Sequence, residues 1–248
     1  MKCGMVLTLG LLFLVACGDK KEEGGVKPLI VITSPDNPPY EFKDTAQGGD
    51  KVIGFDIDVV NKVGERLGRP VKVVEADFAS LIPSLQSGRA DMAVAELAPT
   101  EERRKSVDFS DIYYNNKSEL LVLETSSLTS KENLEGQKLG VQLGSANEMI
   151  GRKLMESMPG LSLVSLNKVG DLVQELKSGR IQAALIGGAV ARKIAKSTSG
   201  FKVVPIDIPG GEIAIAFPKG SPLVEPVNKA LKEMQGEIKD LEAKWIAE

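Results

Sequence analysis

The sequence predicts an α/β protein of two similar lobes, and three observations predict it. Short β-branched or apolar runs alternate with stretches of helical period through most of the chain. That is the pattern of strand–helix units built on largely parallel central strands. One such unit occurs twice: residues 81–95 (LIPSLQSGRADMAVA) align with residues 172–186 (LVQELKSGRIQAALI). The length of 248 residues is enough for two separate cores.

The elements follow in order. Residues 29–33 (LIVIT) are β-branched and read as a buried strand. Phe55, Val59, Val63 and Leu67 recur every four residues, giving an amphipathic helix that stops at Gly68, Arg69 and Pro70. Residues 71–74 read as a strand, and Leu81, Ile82 and Leu85 mark a helix that tolerates Pro83 only in its first turn. Residues 91–95 follow as a strand, and Pro99 to Glu102 form a helix-start signal with Arg103 in the first turn. In the second half, 138–142 is a strand, 146–158 a helix, 161–165 a strand, 169–176 a helix and 183–186 a strand. Ile238, Leu241 and Trp245 have the spacing of a packed helix.

In both copies of the repeat, a Ser-Gly-Arg triplet ends the helix, with glycine supplying a left-handed cap. The same register places Glu96 opposite Gly187, each at the carboxyl end of a strand. Open α/β sheets bind ligands along that edge. A lone carboxylate there is either a solvated strand terminus or a ligand contact.

Composition removes several function classes. A formal charge of −3 with no basic block gives no nucleic-acid footprint. Histidine is absent, which excludes a Ser-His-Asp triad, a histidine general base and histidine-ligated zinc. No cofactor or metal site is expected.

The N-terminus reads as a processing segment, residues 1–16. Lys2 precedes an apolar run over residues 5–15, broken only by Thr8 and Gly10 and too short for the roughly 20 residues that span a bilayer. It ends in Leu14-Val15-Ala16-Cys17, the pattern of a bacterial lipoprotein cleavage site. Cys17 would carry diacylglycerol, residues 17–27 would be a lipidated tether, and Cys3 would leave with the signal, so no disulfide is expected. The expected location is outside the cytoplasm, anchored to a bacterial membrane by lipid and facing the periplasm or cell exterior.

A set of short motifs runs in order across the rest of the chain: PPYEF (38–42), GFDID (54–58), FASLIPSL (78–85), TEER (100–103), VDFSDIYY (107–114), LGVQLGS (139–145) and SGR (178–180). With them the chain resembles the extracytoplasmic solute-binding proteins of the polar amino-acid class, family 3, receptors of ATP-binding-cassette (ABC) importers. The resemblance implies the type II periplasmic-binding-protein fold, with two lobes joined by a two-strand hinge. It assigns residues 26–113 and 210–248 to lobe 1 and 114–209 to lobe 2. It also implies a small polar ligand, an amino acid being expected, closed between the lobes and delivered to an ABC permease.

The resemblance assigns site residues as well. Arg103 would bind a ligand carboxylate through two parallel hydrogen bonds, although it could instead pair with Glu101 or Glu102. Ala98 would add its backbone N–H. Gly144, Ser145 and Ala146 open a helix whose free N–H groups suit an anion, where Ser145 is equally a plain N-cap. Phe78 would pack on the ligand or belong to the core, and Tyr40 is divided in the same way. Asn37 stands where the family often has an aromatic, leaving Asn37 and Ser34 as polar contacts.

One departure is informative. The family holds the ligand ammonium with an aspartate after the second Ser-Gly-Arg strand, and here that position is Gly187. A buried ammonium without a counter-charge is costly. Glu96, at the matching place in the first lobe, is expected to supply the missing carboxylate. Two alternatives stay open: Glu96 meets a cationic side chain, or the ligand is not an α-amino acid. Cyclohexadienyl dehydratase resembles this family and uses the same cleft, so an enzyme with Glu96 as general acid is the alternative to a non-catalytic receptor. A ligand sensor is the third reading.

Overall fold

The computed structural model describes residues 26–45, 49–208 and 211–246. The signal segment, Cys17 and most of the tether lie outside the described residues, as do Pro209 and Gly210 at the expected lobe boundary.

The first lobe opens with β1 (Leu29–Thr33), whose β-branched side chains are almost all buried, and a small antiparallel sheet of β2 (Asp36–Asn37), β3 (Glu41–Lys43) and β4 (Val52–Ile53). Helix α1 (Phe55–Arg66), β5 (Val71–Glu75), α2 (Leu81–Gln86), β6 (Met92–Ala93), the single turn α3 (Glu101–Arg104) and β7 (Val107–Phe109) follow. β8 (Tyr114–Asn115) carries the chain across.

The second lobe holds β9 (Ser118–Leu123), β10 (Lys138–Gln142), α4 (Ala146–Ser157), β11 (Ser162–Leu166), α5 (Val169–Lys177), β12 (Ala183–Gly187), α6 (Gly188–Ser197) and β13 (Phe201–Val204). β14 (Glu212–Ile213) pairs antiparallel with β8 on the way back, which makes the two-strand crossing. β15 (Ala216–Pro218), α7 (Val224–Glu233) and α8 (Gln235–Trp245) complete the first lobe, with α7 and α8 packed on α1.

The two sheets share one plan: β5-β1-β6-β15-β7 and β11-β10-β12-β9-β13. In each, three parallel strands are followed by one antiparallel strand and then by a fifth that pairs antiparallel with it, so running with the first three. The repeat read from sequence holds atom by atom. Asp91 Oδ2 accepts from the β1 amide of Ile30 at 2.8 Å, and Gln182 Oε1 accepts from the β10 amide of Lys138 at 3.1 Å. Gly88 and Gly179 both sit at φ 70°, the left-handed cap expected of each Ser-Gly-Arg triplet. This equivalence is what sets Glu96 and Gly187 facing each other from opposite lobes.

Two expected strand boundaries change, and one helix was not expected. The strand expected at 91–95 ends at Ala93, because the chain turns sharply into Glu96, whose φ is 46°. Val94 still donates to Ile32 O at 3.2 Å, so pairing fades over one residue rather than stopping. The strand expected at 161–165 lies one residue later, since the Leu161 amide instead closes a turn on Met158 O. Helix α6 starts directly at Gly188, where the glycine pair hid a helix start.

Candidate ligand-binding site

A cavity of about 450 Å³ lies between the lobes, in the range of small-molecule sites. Asn37, Phe78, Glu96, Ala98 and Arg103 line it from the first lobe, Asn116 from the crossing, and Ala146, Asn147 and Gly187 from the second.

Arg103 is brought there by a short, well-capped turn. Thr100 is the N-cap of α3, and its hydroxyl accepts from the Arg103 amide at 3.3 Å. The side chain is buried, with 8% of its surface exposed. Its guanidinium donates to Ala98 O at 2.7 Å and, across the cleft, to Gly144 O at 3.0 Å. It also lies 5.4 Å from the centre of the Phe78 ring, a cation–π contact. Burial pushes its pKa down to about 10, so it stays charged at neutral pH. The alternative pairing with Glu101 or Glu102 does not form, and Glu102 instead bridges to Lys105 at 2.7 Å. A buried guanidinium whose partners are carbonyls can still take an anion.

Opposite Arg103, α4 points its N-terminus into the cavity. The first-turn N–H groups of Ala146 and Asn147 have no acceptor within the helix and add the positive end of its dipole.

Glu96 is built differently. It is the one non-glycine residue with positive φ among the described residues. Its amide donates to Asp56 Oδ2 at 2.8 Å, and Asp56 Oδ1 accepts from the Tyr113 hydroxyl at 2.7 Å beside the crossing. The Glu96 carboxylate accepts from Asn37 Nδ2 at 2.8 Å on one oxygen and from Asn116 Nδ2 on the other. Burial drives its pKa up to about 7 against those two amides, which favour the anion. Burial pushes Asp56 up to about 6, and it also holds the fully enclosed Glu41 well above the carboxylate range.

Glu96 fills the space over Gly187. A Cβ built on Gly187 would collide with Glu96 Oε1 and lie 2.6 Å from Asn116 Nδ2. An aspartate at 187 therefore cannot coexist with this Glu96 conformer.

Three expected contacts do not lie on the cavity wall. Tyr40 is fully buried against Phe55 and Tyr114, at ring distances of 6.0 and 6.1 Å, because its apolar ring completes the core between α1 and the crossing. Ser34 turns its hydroxyl to Asp36 Oδ1 at 2.9 Å. Ser145 spends its hydroxyl on the amide of Glu148 at 3.1 Å, the N-cap of α4, while Ala146 beside it lines the cavity. Ala98 is on the wall, where its carbonyl accepts from Arg103.

Sequence reading missed Asn116, Asp56 and Asp36. Asp36 crosses the cleft: its Oδ2 accepts from the Val169 amide at the start of α5 at 2.9 Å and from Gln142 Nε2 at 3.3 Å. Asp56 lies within the GFDID motif, which marked the position without its role, while Asn116 and Asp36 have no sequence signal of their own, since each acts through a neighbour distant in sequence.

Comparisons with known proteins agree with this architecture. Residues 29–248 match the family described as bacterial extracellular solute-binding proteins, family 3. The arginine-binding extracellular protein ArtP of Bacillus subtilis (strain 168) is 39% identical over 240 residues, covering 94% of this chain and 92% of that one. The crystal structure of the substrate-binding protein of an amino acid ABC transporter superposes with a TM-score of 0.84 at 35% identity, covering 90% and 100% of the two chains. An ancestral arginine-binding protein bound to arginine gives 0.82 at 38% identity, covering 88% and 97%.

Proposed function

The chain belongs to the bacterial extracellular solute-binding proteins, family 3, and on that premise we propose that it captures an α-amino acid between Arg103 and Glu96. Its fold is the two-lobed type II periplasmic-binding-protein fold. It acts outside the cytoplasm as a receptor that binds a small ligand of amino-acid class and passes it to an ABC importer.

One observation carries the ligand reading. The cavity holds a guanidinium whose partners are carbonyls and a carboxylate whose partners are amides, from residues seven apart in sequence. A zwitterion supplies the opposite charge to both. The ligand carboxylate would lie between Arg103 and the first turn of α4, and its ammonium against Glu96. Glu96 then does from the first lobe what an aspartate at 187 would do from the second, and its collision with any side chain at Gly187 supports that exchange.

A second reading puts a cationic side chain against Glu96, and the arginine named for two of the matching proteins favours it. Thermal-shift screening against the twenty amino acids separates the two. A ligand at 100 times its dissociation constant stabilises by about 2.7 kcal/mol, a clear shift. If Glu96 holds the α-ammonium, Glu96→Gln weakens every amino acid that binds; if it holds a side chain, only the basic ones weaken.

The matching proteins are binding proteins by name, and this chain is a receptor rather than an enzyme. Both Glu96 oxygens are occupied by amide donors, which favour its ionised form. The proposal includes a lipid anchor on Cys17, with tether 17–27 joining it to lobe 1 (26–113, 210–248) and lobe 2 as 114–209. Cys17→Ser would release the protein from the membrane fraction; release-free fractionation would remove the anchor from the account.

A further inference from the structure

We propose that Asn116 is a positioning residue that clamps the Glu96 carboxylate to the second lobe, so that an acid carried by lobe 1 works from the place lobe 2 has left vacant. The inference rests on the reading of Glu96 as the ligand's counter-charge.

Asn116 stands where the two crossing strands and both lobes meet, and it is buried with 7% of its surface exposed. Its own amide donates to Gly211 O, the residue just before the returning strand, at 2.6 Å. Its side-chain oxygen accepts from the Ala189 amide in the first turn of α6 at 3.1 Å. A backbone N–H can only donate, so that contact fixes which way the Asn116 amide points. The NH₂ group is therefore aimed at Glu96 Oε1 and cannot flip without leaving the Ala189 amide unsatisfied. The same pair of side chains occupies the space that a Cβ on Gly187 would need.

Among the described titratable groups facing Glu96 from the other packed elements, none is a cation: Asp56 opposes its charge, and the other three are held toward their neutral forms. The four are Asp56 on α1, Tyr40 and Glu41 at the start of β3, and Tyr114 on β8. Only the amides of Asn37 and Asn116 favour the anion, and only Asn116 reaches it from the crossing. Asn37 shares a lobe with Glu96 and so carries no information about closure.

The test follows the Glu96 carboxyl by NMR in the purified ligand-free chain labelled with ¹³C-glutamate, the signal being assigned by its loss in Glu96→Gln. Asn116→Ala removes a charge-assisted donor, and the titration midpoint should rise by about one pH unit. Asn116→Asp keeps the volume and the acceptor for Ala189, so it serves even if the alanine variant does not fold. It places a second carboxylate on Glu96 and should raise the midpoint further. A midpoint unmoved by either substitution, with or without a lower melting temperature, would overturn the clamp and leave Asn116 a structural residue. Because no ligand is present, the outcome is independent of the amino-acid screen. A failed screen removes the ligand reading and leaves the clamp, and an unmoved midpoint does the reverse.

Discussion

Glu96 combines two costs that a residue chosen for stability would avoid. Its backbone is in the left-handed region at φ 46°, which disfavours a side chain by about 1 kcal/mol, and its carboxylate is held in a half-buried site. Glycine relieves the first cost and alanine does not. Glu96→Gly is therefore expected to melt above Glu96→Ala, by the equivalent of about 1 kcal/mol, while both lose ligand affinity. Equal melting temperatures would show that the turn is not strained.

The pH dependence follows from the same residue. Its pKa rises on folding from the ordinary 4.5 to about 7, and that of Asp56 from 3.8 to about 6. Between each pair of values the folded protein holds a proton that the unfolded chain has released. Stability from these groups is fully present below the lower value and is lost as pH rises through the upper one. The ligand-free melting temperature should fall between about pH 4 and 7, and Glu96→Gln should flatten that fall. A bound ammonium lowers the Glu96 pKa, so ligand-induced stabilisation should grow over the same range. A ligand shift independent of pH would place the ammonium elsewhere.

At the scale of elements, two helix starts meet the first lobe and do different work. α4 is capped internally by Ser145 and offers its free amides to the cavity. α5 has no side-chain cap of its own, and Asp36 of the opposite lobe supplies an acceptor to the Val169 amide. A cap borrowed across the cleft exists only when the lobes are together. Asp36→Ala should therefore weaken all ligands by a similar factor and enlarge the ligand-bound radius in small-angle scattering, without changing their rank order. Ser145→Ala should instead cost about 1 kcal/mol of stability with little change in affinity.

The elements were legible where local chemistry decided them. The period of α1, the Thr100 cap that sets Arg103, and the two Ser-Gly-Arg termini are all local signals, and the internal repeat carried the register that opposes Glu96 to Gly187. The premature end of β6 was not legible, because it depends on Asp56 holding the Glu96 amide from 40 residues away. Asn116 was missed for the same reason. Its amide acquires a role only once the crossing strands bring Ala189 and Glu96 to it. Tyr40 was a motif aromatic that the sequence left divided between cleft and core, and its ring is core.

For the whole molecule, the site charges explain how a ligand strengthens closure. Bringing the lobes together buries Arg103 and Glu96, and desolvation moves both pKa values toward the neutral forms. Carbonyls and amides offset part of that cost, and a zwitterion offsets the rest by meeting both charges at once. A ligand can shift the open–closed equilibrium only by its differential affinity for the two forms, and contacts shared between lobes provide it. Arg103 and Glu96 belong to one lobe, while α4, Gly187 and the Asn116 clamp tie them to the other. On the proposed reading of Glu96, the receptor signal to the importer depends on a charge carried by the unexpected side of the cleft.

The most direct measurement is a double-mutant cycle read by isothermal titration calorimetry, with the amino acid that gives the largest thermal shift as ligand. Glu96→Ser removes the carboxylate, and Gly187→Asp forces an aspartate against Glu96. Each alone should weaken binding by roughly 100-fold or more, as expected for breaking a buried charge pair at about 3–5 kcal/mol. Combined, they place the carboxylate on the second lobe with room to stand, and most of the lost affinity should return. Losses that simply add in the double variant, or an unchanged affinity in Glu96→Ser, would contradict the exchange of the site acid between lobes.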